Sequence, residues 1–455
     1  MKKLASVNPA TGALVFEMDC WPEPKLKEVI HSVTSSRPNW VNSTLDKRVK
    51  TIHASGELLK TRRDQLATLI TTEMGKVINE SYAEIDKCIF ACEYYTEHAV
   101  SFLADEVISS DASRSYVAYQ PLGTVLGIMP WNFPFWQAFR FAIPALLTGN
   151  TVMLKHASNI PQCALAVEQL LHDAGVPQDV FRCLMIHSSQ LEPIFADPQI
   201  HGIALTGSEK TGRLVAQKAG AYLKKVVLEL GGSDAFVVLE DADVELAVKT
   251  ALASRFFTSG QSCINAKRII LVDDIVDKFI PKIYAAVKSI VPGDPMNPDT
   301  KVGPMARSDL RARLDRQVKQ SVRMGAEPIA GCYALKGEGY YYMPSILNHV
   351  TKGMPAYEEE LFGPVASIIY AKDEQDAIRI ANDTKYGLGG SIWTQDIERG
   401  EQVARQIETG TVYVNGMVKS DPRLPFGGVK NSGIGRELGR HGMLEFANAK
   451  TIWIA

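Results

Sequence analysis

The chain has almost no excess charge of either sign. Its 455 residues carry 49 Lys and Arg against 51 Asp and Glu, a formal net charge of -2, so no global field favours nucleic acid or an anionic membrane as a partner. Also missing are a CxxC pair and any Cys/His cluster at zinc spacing. The seven cysteines, Cys20, Cys88, Cys92, Cys163, Cys183, Cys263 and Cys332, form an odd, scattered set. Together with the lack of an apolar signal region before Asn8-Pro9, this predicts reduced thiols in a cytoplasmic protein with no metal site. The uncharged run 116–139 is the one stretch that imitates a membrane span. Pro121, Pro130, Pro134, Gln120 and Asn132 interrupt it, and broken backbone hydrogen bonding is not tolerated in lipid, so it reads as buried core. Repeats and low-complexity linkers are missing too. With 46% hydrophobic and 22% charged residues the chain is globular, and at about 150 residues per domain it holds two or three domains.

Periodicity gives an α/β architecture. Long helices are expected over 45–76 and 77–106, the second with Ile78, Tyr82, Ile85, Ile89 and Cys92 at steps of three and four. From Gly123 strand-like runs at 123–129, 151–155, 180–186, 201–206 and 226–230 alternate with helical runs at 135–147, 161–174, 191–196 and 212–221. Such alternation means a parallel sheet wrapped by helices, with ligands at the carboxyl ends of its strands. A second set begins near Gly231, with strands at 235–239, 268–272, 365–370, 392–394 and 411–415 and a helix over 241–259. The strand-like tail 448–455 is expected to pair with 115–120 as an arm for oligomerisation. The division is therefore 1–108 with 123–230 for a cofactor, 231–430 for catalysis, and 109–122 with 431–455 for the arm.

No GxGxxG follows the first strand. The alternative phosphate site is Leu205-Thr206-Gly207-Ser208-Glu209-Lys210-Thr211-Gly212, where a strand ends and a helix opens between two glycines, although ordinary βα turns look similar. Lys155 ends another strand, and the preceding strand ends in Met129-Pro130-Trp131-Asn132-Phe133-Pro134. An amide held between rings and prolines needs a partner, and an oxyanion is one candidate. Glu229 stands in an apolar strand before Gly231-Gly232, a setting for a buried salt bridge or for a general base with a raised pKa. Cys263 follows the Ser259-Gly260-Gln261-Ser262 turn, where a substrate can reach a thiol.

Taken in order with Glu360-Leu361-Phe362-Gly363-Pro364 and Pro425-Phe426-Gly427-Gly428, these motifs resemble the NAD(P)-dependent aldehyde dehydrogenase superfamily over essentially the whole chain. Within it the sequence is similar to succinate-semialdehyde dehydrogenases. The resemblance implies a Rossmann-like cofactor domain, an α/β catalytic domain and a β oligomerisation arm. It gives Cys263 the role of nucleophile, forming a thiohemiacetal and then a thioester, with Asn132 in the oxyanion hole and Glu229 activating the hydrolytic water. It places Lys155 on the adenosine ribose, Trp131, Thr206, Gly207, Ser208 and Gly212 around the cofactor, and Glu360 with Phe362 at the nicotinamide riboside. Three departures stand out. Ser158 occupies the position of a carboxylate that accepts the ribose hydroxyls in many relatives, so NADP is expected to be preferred, with NAD accepted. His156 replaces a proline and has no reading. Asn265 stands where some relatives carry a second cysteine, which argues against a local disulfide switch.

Arg140 is the charge that ends the apolar run, one helical turn from Trp136. It is either part of a helix-capping or interdomain salt bridge or, as in relatives that pair an Arg here with a Ser such as Ser420, a carboxylate clamp. The expected reaction is oxidation of succinic semialdehyde to succinate. A broader aliphatic or glutaric-semialdehyde dehydrogenase is the enzymatic alternative. An inactive cofactor-binding homologue is the other, against which intact Cys263, Glu229 and Asn132 weigh. The expected partners are a small aldehyde and further copies of the chain, as a dimer or tetramer.

Overall fold

A computed structural model describes residues 2–455. Two mainly parallel sheets organise it, each with its own buried apolar cluster. The first has six strands in the order Gly433–Ile434, Lys225–Glu229, Ile200–Thr206, Thr124–Met129, Thr151–His156 and Phe181–Cys183, with only the first pair antiparallel. The second has seven, in the order Glu327–Ala330, Ser345–Asn348, Val365–Ala371, Arg268–Val272, Ala235–Val238, Gly389–Trp393 and Thr411–Val414, again with one antiparallel edge pair. Central strands such as Thr124–Met129 and Arg268–Val272 are buried along almost their whole length, as their unbroken apolar runs require.

The strand–helix alternation expected from 123 onward is present, and the elements differ mainly at their ends. Ser208 accepts from the Thr211 amide and so starts the helix Glu209–Ala221 three residues before Gly212. Asp243 likewise caps Val244–Phe256. The helix expected over 45–76 is two, Leu45–Thr61 and Arg63–Met74, broken at Arg62, and both lie against Ile78–Phe102. Among the elements outside the sequence reading, two lie near the N-terminus. The hairpin Lys3–Val7 with Leu14–Asp19 is short and largely exposed on its second strand. The helix Glu23–Val41 contains Pro24 and Pro38, which blur its period, yet it buries Leu26, Val29, Ile30 and Val33.

The tail strand Ala447–Ile454 pairs antiparallel with Arg114–Pro121, and Glu106–Val107 adds a third strand on the other side. This small sheet leaves Val107 and Trp453 78% and 53% exposed. One part of the tail goes elsewhere than the expected arm. Gly433 and Ile434 pair with Glu229 and Leu228 at the edge of the six-stranded sheet, because Gly433 approaches the Leu228 carbonyl too closely for any side chain. None of the described helices is long and apolar enough to cross a membrane. The run 116–139 forms an arm strand, a core strand and the start of the buried helix Pro134–Thr148.

Candidate active site

The buried helix Pro134–Thr148 and the loop before it form one wall of the site. Gly127 makes their close approach to the sheet possible, since a Cβ there would overlap the Phe141 ring. The helix N-terminus is held by a group distant in sequence. One carboxylate oxygen of Glu84 accepts the Phe135 and Trp136 amides at 2.8 and 3.0 Å, and Lys76 pairs with the same carboxylate. His156 fixes the loop from the other side. Its Nε2 donates to the Pro134 carbonyl at 2.7 Å while Nδ1 accepts from the Ala157 amide at 3.0 Å. Burial pushes the imidazole down to about 4, so it is neutral, which is what a donor–acceptor ring bridging two main-chain groups requires. Between these anchors Asn132 is buried, and its Nδ2 donates to the Gln261 carbonyl at 3.0 Å. An amide nitrogen carries two hydrogens, leaving a second one for a developing oxyanion.

The loop carrying Cys263 is locally strained. Thr258, Ser259 and Gly260 have φ of 54°, 52° and 74°, and left-handed conformations at non-glycine residues cost of order 1–3 kcal/mol each. Surrounding contacts hold them. The Glu80 carboxylate accepts the Thr258 amide at 2.9 Å, and the Arg255 guanidinium donates to the Gly260, Leu361 and Gly363 carbonyls. Arg255 thus ties the cysteine loop to the Glu360–Phe362 segment. Lys267 does the same, donating to the Ser262 and Cys263 carbonyls at 2.9 and 2.5 Å and pairing with Glu360 at 3.2 Å. Glu360 can come so near because Gly231 has no side chain to block it.

Cys263 stands between two cavities. One, of about 810 Å³, is lined by Trp131, Asn132, Thr206, Gly207, Ser208, Glu360 and Phe362. The other, of about 940 Å³, is walled by Lys87, Trp136, Arg140, Phe426 and Ser420. Burial pushes the Cys263 thiol up to about 12, although Lys267 and Arg140 pull the other way. The structure therefore brings together most residues singled out in the sequence. Lys155 and Ser158 meet each other, Nζ to Oγ 3.4 Å, at the end of Thr151–His156, but neither lines the first cavity. Gly212 does not line it either. Its Cβ would strike Leu230, so this glycine serves helix–strand packing rather than a phosphate.

Two expectations change more. Glu229 is buried at its strand end but lines neither cavity, although Leu230 and Gly231 line the first. Burial and the neighbouring Glu437 raise its pKa well above the ordinary carboxyl range, with Arg140 and Arg436 opposing. Arg140, read as a carboxylate clamp, already has a carboxylate. It pairs with Glu437 and donates to Thr206 Oγ1 at 3.1 Å, which is the salt-bridge alternative, while its side chain still faces the second cavity. Sequence reasoning missed Glu437, Glu84, Arg255, Lys267 and Lys87. None belongs to a recognisable motif, and each is brought to the site by packing.

A profile of the aldehyde dehydrogenase family matches residues 1–452. The chain belongs to this family. It is similar to a succinate-semialdehyde dehydrogenase [NADP(+)] of Mycobacterium leprae, at 43% identity over 455 residues covering 99% of this chain and 100% of the relative. An Escherichia coli succinate semialdehyde dehydrogenase [NAD(P)+] is 41% identical, covering 98% and 97% of the two chains. The crystal structure of succinic semialdehyde dehydrogenase from Streptococcus pyogenes in complex with NADP+ superposes with a TM-score of 0.97, at 36% identity and 99% coverage of both chains. The architecture of two sheets and a small arm is thus the aldehyde dehydrogenase fold.

Proposed function

We propose that this chain oxidises succinic semialdehyde to succinate, with NADP as preferred cofactor and NAD accepted. The observation that carries the reading is Cys263 exposed to both cavities, one opening on a helix N-terminus and the other on cationic and hydroxyl donors. The names of the relatives support the same substrate and cofactor. The cofactor cavity suits an anion. Glu209, which opens the helix, would repel a pyrophosphate, but Lys385, Arg213 and Asn431 all bind its carboxylate, leaving Ser208 and the helix dipole facing the cleft. Lys155 and Ser158 are two donors without a carboxylate between them, a pair suited to a ribose 2′-phosphate. Thr206, Gly207 and Trp131 would line the cleft, and Glu360 with Phe362 would hold the nicotinamide end.

NADP, when bound, supplies the hydride acceptor. The Cys263 thiol gives its proton to water as the sulfur adds to the aldehyde carbon, and the Asn132 amide with the Cys263 N–H holds the oxygen anion, donors of a kind worth about 3–4 kcal/mol each. Loss of the hydride gives a thioester. Glu229 takes a proton from water as it adds to the acyl carbon, and the thiolate leaves with succinate as product. Its buried oxygens have no hydrogen-bond partner among the described residues, so the side chain is free to turn toward Cys263, and burial, which raises its pKa, makes the ionised carboxylate a strong base there. Ser420 and Arg140 stand where the distal end of the substrate would lie. Glutaric semialdehyde, one methylene longer, is the alternative substrate.

The exposed apolar edge of the three-stranded sheet fits a further copy of the chain, giving a homodimer or tetramer. In this reading 1–108 with 123–230 carries the cofactor, 231–430 the catalytic loop, and 109–122 with the tail the arm. Free thiols at all seven cysteines fit a cytoplasmic enzyme. The test is reduced-cofactor absorbance with succinic semialdehyde, glutaric semialdehyde and butanal, each with NADP and NAD. Cys263→Ala should be inactive and Glu229→Gln should give one burst followed by slow turnover. Equal kcat/KM for the charged and uncharged aldehydes would reject the substrate assignment.

A further inference from the structure

Two cations line the second cavity without an ion-pair partner among the described residues, the exposed Lys419 and the half-buried Lys87, and only the second is drawn out of water. Of the ionisable groups in its wall, Glu84 is paired with Lys76 and occupied by two helix amides, Arg140 is paired with Glu437, and Glu80 accepts the Thr258 amide. Lys87 differs. Among the described residues its Nζ has no carboxylate within ion-pair distance, and its partners are the Ser420 hydroxyl at 2.6 Å and the face of the Trp136 ring, 4.3 Å from the centroid. An ammonium removed from water costs free energy unless an anion meets it, so a half-buried Lys with only uncharged partners is incomplete as it stands.

Its partners are arranged around the same point. The Ser420 oxygen accepts from Lys87 and, at 3.2 Å, from the Trp136 indole N–H. With both acceptor sites used, the Ser420 O–H is left as a donor. Three groups from three parts of the chain, the helices Ile78–Phe102 and Pro134–Thr148 and the loop before Pro425, therefore present an ammonium, a hydroxyl donor and an apolar ring to one end of the cavity. Cys263 lies in the wall of the same cavity. Resting on the substrate reading above, we infer that the Lys87 ammonium, together with the Ser420 hydroxyl, binds the distal carboxylate of the aldehyde and sets the enzyme's preference for ω-carboxylated substrates.

The electrostatics around Lys87 agree. Burial and Arg140 pull the Lys87 ammonium down to about 7, against Cys88 and Glu84 on its own helix and Asp421 on the facing loop. Of these, Asp421 is itself held by Arg423. A group poised near neutrality binds a carboxylate in its protonated form, so KM for succinic semialdehyde should rise as pH climbs from 7 to 9, while KM for butanal, of the same chain length without the charge, should not follow.

The decisive measurement compares succinic semialdehyde and butanal for the full-length wild type, Lys87→Met, Lys87→Gln and Lys87→Arg. In both neutral variants the ratio of kcat/KM for the two aldehydes should fall by roughly 30-fold or more, through KM, and the alkaline rise in KM should vanish; Lys87→Arg should restore most of the ratio without that rise. A wild type that prefers the charged aldehyde, with variants that keep the preference, overturns the role of Lys87 and leaves the substrate reading standing. Equal losses for both aldehydes in the Met and Gln variants also overturn it, since they mean a structural Lys. A wild type without any preference rejects the substrate reading and the carboxylate role together.

Discussion

Replacing Arg140 by alanine should damage stability more than it damages discrimination between substrates. The guanidinium is the counter-charge of Glu437, which is 6% exposed, and it lowers the pKa of Glu229, which is 2% exposed. Without it the two carboxylates face each other in the interior. The cheapest escape is protonation. Neutralising Glu437 at pH 7, starting from its ordinary pKa of 4.5, costs at most about 3.4 kcal/mol at about 1.36 kcal/mol per unit. That figure agrees with the roughly 3–5 kcal/mol measured when one partner of a buried pair is removed. The sign is fixed by linkage. A carboxyl whose folded pKa lies above its unfolded value loses stability as pH rises, so the deficit should shrink to about 1.4 kcal/mol at pH 5.5. For a cooperative unit of about 200 residues this is a Tm loss of up to roughly 7–14 °C at pH 7 and roughly 3–6 °C at pH 5.5. Thermal unfolding of Arg140→Ala and of Arg140→Ala with Glu437→Gln reads it, and the second change should recover part of the loss. In the surviving enzyme kcat/KM for succinic semialdehyde and butanal should fall together. An unchanged Tm at both pH values, with KM raised for succinic semialdehyde alone, would refute the reasoning and return Arg140 to the clamp role its sequence position suggested.

Three further outcomes follow from the site. With the Cys263 thiol pushed up to about 12, alkylation by iodoacetamide in the absence of cofactor should be slow at pH 7 and accelerate about tenfold per unit up to pH 9; a rate already at its plateau at pH 7 would show a thiolate and contradict the burial argument. Ser158→Glu puts a carboxylate beside Lys155 where a 2′-phosphate would bind. At about 4 Å that repulsion is worth roughly 1–4 kcal/mol, so the NADP to NAD ratio of kcat/KM should fall about 5-fold to several hundred-fold, and an unmoved ratio removes the phosphate from this pair. His156→Ala leaves the buried Pro134 carbonyl unpartnered at a cost of about 1–3 kcal/mol and loosens the Asn132 loop, so kcat should drop with little change in cofactor KM. Since the folded ring titrates at about 4 and the free one at 6.5, acidification across that window favours unfolding of the wild type, and differential denaturation at pH 7 and 5 should show a weaker slope in this variant.

The chemistry-bearing motifs are legible along the chain, because each is a local turn or strand end whose backbone needs its own residues. Asn132 between prolines, Gly231 beside an apolar strand end, and the turn before Cys263 all read directly. Strand–helix alternation likewise follows from periods of two and three to four. What tertiary structure decided is which charges meet. Glu437 satisfies Arg140, Glu84 caps a helix that begins 50 residues later, and Lys87 reaches Ser420 across 333 positions. No local pattern marks such pairs, since a helical Lys or Glu has the same periodicity whether it faces water or a cavity. The sequence singled out Arg140 as the cation that ends the apolar run. Only the fold showed that this cation's charge is already used and that another, unmatched, stands beside it, because the cost of burying a charge is set by its neighbours in space rather than along the chain.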